Sequence, residues 1–145
     1  MTEMEPLRAA ERLLPAELLG RASLCENEYA WPICDIPRVI EAARQANLLN
    51  IGGQLQFQFP NGATCECYWV EVDTYKAVSA SLPWAERVTQ AARVASSEFS
   101  RISEKYDFIE EGRRNFDSVF RDFESAGYSP LQAMCFVWYV DECPE

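Results

Sequence analysis

Apolar and polar residues alternate through residues 54–69, and the turn sequence Pro-Asn-Gly lies in the middle of this stretch. A period of two is typical of a β-strand with one buried face, and Gly62 suits the positive φ of a bulged hairpin turn. The pattern therefore predicts an antiparallel hairpin with a three-residue loop. Its register pairs Phe59 with Ala63, Phe57 with Cys65 and Leu55 with Cys67.

This register divides the side chains of the hairpin between two faces. The apolar face holds Leu55, Phe57, Phe59, Ala63, Cys65, Cys67 and Trp69. The polar face holds Gln54, Gln56, Gln58, Thr64, Glu66 and Tyr68. We expect the apolar face to pack in the core. The polar face is either an ordinary solvent-facing side or a surface that accepts a partner, for which Gln54, Gln56, Gln58 and Tyr68 are the candidate residues.

Residues 83–126 carry apolar side chains at spacings of three and four, which is typical of an amphipathic helix. The stripe consists of Trp84, Val88, Ala91, Ala95, Phe99, Ile102, Tyr106, Ile109, Phe116, Phe120 and Phe123. Gly112 stands where a core residue is expected, so either one bent helix packs closely at Gly112 or two helices meet near Asp107. The acidic capping pattern of Asp107 and Glu110 favours two helices, and Gly127 suits a C-terminal cap.

The other segments give weaker patterns. Residues 5–14 predict a short helix in a loosely attached N-terminal segment, residues 1–20, and residues 21–34 predict a loop anchored by Tyr29 and Trp31. A helix from an Asp35 cap to Asn47 is expected to bury one apolar side. Residues 131–142 fit a buried strand by their aromatic and β-branched content, but we favour a helix that is apolar all round.

Together these elements predict one α+β domain over residues 1–145. It is mostly helical, with four to five helices packed on a central antiparallel β-hairpin. The length of 145 residues and the 48% of hydrophobic residues suffice for a substantial core.

The net charge changes the functional picture. Asp and Glu outnumber Lys and Arg 23 to 13, for a net charge of −10. A negative field repels nucleic acid and anionic lipid, and it steers a basic protein inward, although the same charge also serves solubility. The densest acidic region is interrupted by three arginines. Its candidate partner-binding residues are Glu110, Glu111, Asp117, Asp122 and Glu124.

The residue types exclude several kinds of chemistry. The chain has no His, which excludes Ser-His-Asp and Cys-His hydrolases and His-ligated metal sites. Its six cysteines lack the spacing of a zinc knuckle, and Cys65 and Cys67 would lie about 7 Å apart on one strand, too far for an unstrained disulfide. We therefore predict that these two thiols are core packing, and we expect no catalytic residue, cofactor or metal site.

Three functional hypotheses remain. The first is a small bacterial-type interaction module of the immunity or inhibitor class, which neutralises a basic protein partner. The second is a small-molecule-binding protein or a carboxylate-dependent enzyme with a pocket between hairpin and helices, lined by Trp31, Trp69, Trp84 or Trp138. The third is a homodimer formed through residues 83–126. The longest apolar run has seven residues, 134–140, and the N-terminus has no secretory pattern, so we expect a cytoplasmic protein.

Overall fold

A five-stranded antiparallel sheet organises the chain. The computed structural model describes residues 9–144, and within them the strands run in the order β1-β2-β5-β3-β4. The strands are β1 (Ser23–Cys25), β2 (Glu28–Trp31), β3 (Leu49–Gln58), β4 (Thr64–Asp73) and β5 (Met134–Asp141). The last strand of the sequence thus lies at the centre of the sheet, and β4 forms one edge.

The helices pack against one face of this sheet and bury its aromatic side chains. They are α1 (Ala16–Leu19), α2 (Ile36–Gln45), α3 (Trp84–Lys105), α4 (Phe108–Asn115) and α5 (Asp117–Ser125). Short 3-10 turns occupy Ala10–Leu13, Ile33–Asp35, Tyr75–Ala77 and Pro130–Gln132. The main core joins helix residues such as Phe99 and Phe120 to strand residues such as Phe57, Phe136 and Trp138.

The hairpin register is confirmed at all three predicted pairs. Leu55 faces Cys67, Phe57 faces Cys65, and the Phe59 N–H donates to the Ala63 carbonyl at 2.9 Å. Gly62 has a φ of 93°, as the bulged turn requires.

The predicted burial of Trp69 is wrong, although its side chain reaches α4 on the helix side of the sheet. The register of β3 with β4 slips after Leu55, so that Gln54 faces Glu71 and three extra residues, 68–70, bulge from β4. Val70 fills the core position with 0% exposure, while Trp69 is 41% exposed and donates from Nε1 to Glu111. A bulge reverses the alternation beyond it, and the period-two pattern alone does not reveal where it occurs.

The chain turns at Asp107 as predicted, because the Asp107 side chain accepts the Glu110 N–H at 3.2 Å and caps α4. The two-helix prediction is nevertheless one helix short, since a second break at Phe116 separates α4 from α5. Gly112 packs closely as well: a Cβ there would lie 2.4 Å from Phe120 Cζ and 2.6 Å from Phe57 Cε1.

The helix predicted over residues 131–142 is wrong, because Met134–Asp141 forms β5. Phe136 and Trp138 pack under the helices, whereas Cys135 and Val137 face the opposite side of the sheet. A central strand buried on both faces gives a continuous apolar run, which a buried helix also gives. The α+β class is confirmed, but the sheet has five strands and the hairpin lies at its edge rather than at its centre.

The remaining segments differ in detail from their predictions. Residues 21–34 form β1 and β2 rather than a loop, and Trp31 is fully buried as the predicted anchor. Helix α2 ends at Gln45, two residues before Asn47. Of the helix predicted over residues 5–14, residues 5–8 lie outside the described residues, and residues 10–13 form a 3-10 turn.

Candidate functional site

The second face of the sheet carries no helix within the described part of the chain, and we call it the open face. Its small apolar centre consists only of strand residues, namely Ala30, Cys135 and Val137 with Tyr139 at the margin. Register also places acidic residues and glutamines on this face. They are Glu28 on β2, Gln54, Gln56 and Gln58 on β3, Glu66, Glu71 and Asp73 on β4, and Asp141 on β5.

A row of side-chain hydrogen bonds orders the middle of the open face. The Tyr139 hydroxyl donates to Glu28 Oε2 at 2.7 Å and accepts from Gln54 Nε2 at 3.2 Å. Burial raises the pKa of Tyr139 to about 12. The bond from Gln54 acts to lower this pKa, and the bond to Glu28 acts to raise it. The hydroxyl therefore stays protonated near neutral pH and holds the Glu28 carboxylate in one position.

The glutamines of β3 form a second hydrogen-bonded chain toward the hairpin. Gln58 Nε2 donates to Gln56 Oε1 at 2.6 Å, and Ser23 Oγ donates to Gln58 Oε1 at 2.8 Å. Gln56 is only 2% exposed, so its amide is part of the structure rather than of the solvated surface. The predicted strip of Gln54, Gln56 and Gln58 therefore exists as a row of side chains tied to three strands.

Tyr68 and Glu66 extend this polar layer to the edge strand. Tyr68 is 64% exposed in the bulge of β4. A hydrogen bond to the Glu66 carboxylate raises the pKa of the Tyr68 hydroxyl, and the negative charges of Glu66 and Glu28 act in the same direction. The same two carboxylates also act on Tyr139. Glu28, Glu66, Tyr68 and Tyr139 thus form one group of neighbouring acidic and phenolic side chains.

The charge on the strands has one sign only. The five strands contain five acidic residues and no Lys or Arg. The acids are Glu28, Glu66, Glu71, Asp73 and Asp141. Within residues 9–144 none of these carboxylates forms an ion pair with Lys or Arg. Within the described residues, the strand carboxylates of the open face are therefore not neutralised by ion pairs. Arg21 borders this face beside Ala30 and Gln58, but it pairs with Asp35.

The predicted acidic surface on the helices is neutralised by contrast. Arg113 lies 2.5 Å from Glu124 and 3.3 Å from Glu110, and Arg114 lies 2.9 Å from Glu111. Arg121 pairs with Asp117 one turn away. Asp122 alone among the five predicted helix acids has no ion pair in the described residues. The two groups of candidate residues thus lie on opposite sides of the sheet. The acidic residues are on α4 and α5, which cover one face, and the glutamines are on the open face.

Cys65 and Cys67 are interior packing, as predicted, because their side chains are 3% and 0% exposed. Cys34 and Cys143 are exposed. Burial raises the pKa of Cys67, and also that of Cys135 on the open face, to about 12. A thiol with such a pKa is a poor nucleophile at neutral pH. Among residues 9–144, no group of three or more acidic or sulfur side chains has the arrangement of a metal site.

Within residues 9–144, the tryptophans do not line a common pocket. Trp31 and Trp138 are both 0% exposed and fill the core, where Trp138 Nε1 donates to the buried Asn50 amide oxygen at 2.8 Å. Trp84, the first residue of α3, donates from Nε1 to the carbonyl of Asn47, which follows α2. The stripe proposed for a dimer is likewise already packed, since Phe99, Ile102 and Phe120 belong to the core under the sheet.

Sequence reasoning missed half of the open face. Glu71 and Asp73 follow the bulge, and Glu28, Tyr139 and Asp141 lie on strands that the sequence did not predict. One signal was present in the sequence: residues 64–73, which form β4, contain Glu66, Glu71 and Asp73 but no basic residue. That bias becomes evident only when β2 and β5 are placed beside the hairpin.

Comparison of the chain with models of protein families, with curated proteins and with solved structures finds no match. None of the helices described in residues 9–144 is long and apolar enough to cross a membrane.

Proposed function

We propose that the protein is an acidic interaction module that binds a basic protein partner through the open face of its sheet. Its action is that of an immunity or inhibitor protein, in which a negative surface covers a positive one. The observation that carries the proposal is the presence of five strand carboxylates without a single basic residue on the strands. The six free cysteines support a cytoplasmic location as part of the same proposal.

Physical chemistry favours this use of the open face over use of the helices. A carboxylate that already pairs with Arg loses that partner when it binds another cation, so the net gain is small. The strand carboxylates have no such partner to lose. Clustered charges of one sign also raise the rate of encounter with a partner of opposite sign by about 10- to 1000-fold at low ionic strength.

The hydrogen-bonded layer gives the face a defined shape. Glu28, Gln54 and Tyr139 hold one another, and Gln56 and Gln58 are held in the same way. Side chains that are ordered before binding lose less entropy on association, which increases affinity for a complementary surface. The carboxylates of the open face therefore attract a basic partner, and its ordered side chains favour a partner whose surface is complementary.

Affinity capture with charge-reversed baits tests the proposal. The face variant carries Glu66→Lys and Glu71→Lys. The matched control carries Glu86→Lys and Glu104→Lys on α3, which changes the net charge equally on the opposite side of the sheet. The baits are incubated with extract of the source organism, and retained proteins are quantified by mass spectrometry.

We expect wild type and the α3 variant to retain the same basic protein, and the face variant to lose it. Retention should fall with added salt, since exposed charges are screened within about 10 Å at 0.1 M. Equal retention of that protein by the two variants contradicts the assigned surface. Retention of an acidic or neutral protein by a salt-independent interaction contradicts the assigned class.

A further inference from the structure

A separate pocket lies between the hairpin turn and the end of α5, and we call it the tip pocket. It has a volume of about 250 Å³. It is lined by Phe59, Pro60, Asn61, Ala63, Val119, Asp122, Phe123, Ala126 and Tyr128. This volume is below the roughly 300–1,000 Å³ of pockets for drug-sized ligands, so it suits a single side chain.

The end of α5 shapes the aromatic wall of the tip pocket. Gly127 takes a φ of 96° and donates to the Glu124 carbonyl at 3.0 Å, and Tyr128 N–H donates to the Phe123 carbonyl at 3.3 Å. This pair of bonds is the Schellman motif, which requires a residue such as Gly at positive φ. It folds Tyr128 back so that its ring stacks on Phe123 at 5.0 Å, and Phe123 in turn meets Phe59 edge to face at 4.8 Å.

The tip pocket also has an uncompensated negative charge at its rim. Asp122 is exposed and has no ion pair within residues 9–144, whereas Arg113 occupies Glu124 on the same turn. The last turn of α5 contains no basic residue. Helix C-terminal carbonyls carry a partial negative charge that basic side chains usually complement. In the described part of the chain, neither Asp122 nor the last turn of α5 is given a basic side chain as a partner.

Apolar walls with a negative rim match a side chain that has an apolar stem and a cationic end. We propose that the tip pocket binds a lysine or arginine side chain of the basic partner, with its stem against Phe59 and Phe123 and its charged end beside Asp122. Aromatic faces add to this attraction, since a cation held near the ring of Tyr128 interacts favourably with its π electrons. The identity of the occupant as a partner residue rests on the proposed function, and it requires the partner to extend past the hairpin turn from the open face to the helix side of the sheet.

Small probes test the tip pocket without the partner. Isotope-labelled protein is titrated with pentylguanidinium and pentylammonium, which reproduce the stem and charge of arginine and lysine. Pentanol supplies the stem without charge, and guanidinium supplies the charge without stem. Amide chemical shifts report binding. The variants are Asp122→Asn, its matched control Asp117→Asn on the same helix, and Ala126→Leu, which fills the tip pocket.

We expect saturable shifts confined to residues 59–63 and 119–128 for the two alkyl cations, and weaker binding of pentanol and guanidinium. Asp122→Asn should weaken the alkyl cations about threefold to tenfold, in keeping with a charge-assisted contact at an exposed site. Asp117→Asn should leave their binding within about twofold, and Ala126→Leu should abolish it.

Three results overturn the proposal. These are the absence of saturable shifts, binding of pentanol as tight as that of the alkyl cations, and equal effects of Asp122→Asn and Asp117→Asn. Each of these results tests the tip pocket alone, because the probes are small molecules and the experiment contains no protein partner. Failure of the open face as a partner surface shows instead in the capture experiment with the Glu66 and Glu71 variants.

Discussion

The hydroxyl of Tyr139 links the open face to the stability of the fold, and the Tyr139→Phe substitution removes it without changing the ring. The hydroxyl donates to Glu28 at 2.7 Å and accepts from Gln54 at 3.2 Å. A hydrogen bond to a charged group contributes about 1.5–3 kcal/mol, and partial solvent exposure reduces this figure. We therefore expect Tyr139→Phe to lower the free energy of unfolding by about 1–2 kcal/mol at pH 7.

The pH dependence gives a second measure of the same group. The pKa of Tyr139 is raised, to about 12 in the folded protein, chiefly by burial and then by Glu28. Because the unfolded value is about 10, the folded state holds its proton more tightly. This contribution is fully present below about pH 10 and is lost as pH rises toward 12. Tyr139→Phe should therefore reduce the loss of stability between these two pH values.

Urea denaturation from pH 7 to pH 11 measures both effects, and Tyr75→Phe is the control. Tyr75 is 81% exposed, so removal of its hydroxyl should change stability by less than about 0.5 kcal/mol. If Tyr139→Phe is as stable as Tyr75→Phe and has the same alkaline profile as wild type, the hydrogen-bonded layer does not hold the open face together.

Two further predictions concern the core. A Cβ on Gly53 would lie 1.6 Å from the Val137 carbonyl oxygen, which is fixed in the sheet, so Gly53→Ala should lower the free energy of unfolding by more than about 4 kcal/mol or prevent folding. A Cβ on Gly112 would meet only the rings of Phe120 and Phe57, which can shift. Gly112→Ala should therefore cost about 1–3 kcal/mol, measured by urea denaturation. Burial raises the pKa of Glu11 despite the bond that its carboxylate accepts from the Val140 N–H. The folded state therefore binds a proton more tightly than the unfolded state, whose pKa is about 4.3, and stability should fall as pH rises from about 4.3 through the folded pKa. If Glu11→Gln shows the same dependence of stability on pH as wild type, this prediction is wrong.

The sequence predicted the parts of the fold that local patterns control. Period-two alternation around Gly62 specified the hairpin register, and the capping residue Asp107 specified a helix start, because a turn and a cap depend only on nearby residues. The bulge at residues 68–70 was not predicted because it depends on how β4 meets the helices, including the bond from Trp69 to Glu111.

The central strand was beyond local reasoning for a different reason. Residues 134–141 are apolar on both faces, and their strand conformation follows from pairing with β2 and β3, which are far away in sequence. The candidate site depended on that pairing. Only after β5 is placed at the centre do Glu28 and Tyr139 come next to the glutamines of β3, so the sequence identified the polar strip and missed the acidic group beside it.

The association rate of the protein with its captured basic partner tests the central claim most directly. Stopped-flow mixing at several salt concentrations compares wild type, Glu66→Lys/Glu71→Lys and the control Glu86→Lys/Glu104→Lys. We predict that the open-face variant associates at least about tenfold more slowly at low salt and loses most of its salt dependence, with a smaller change in dissociation. The control should stay within about threefold of wild type. Equal slowing by both variants, or stronger slowing by the control, would contradict binding at the open face.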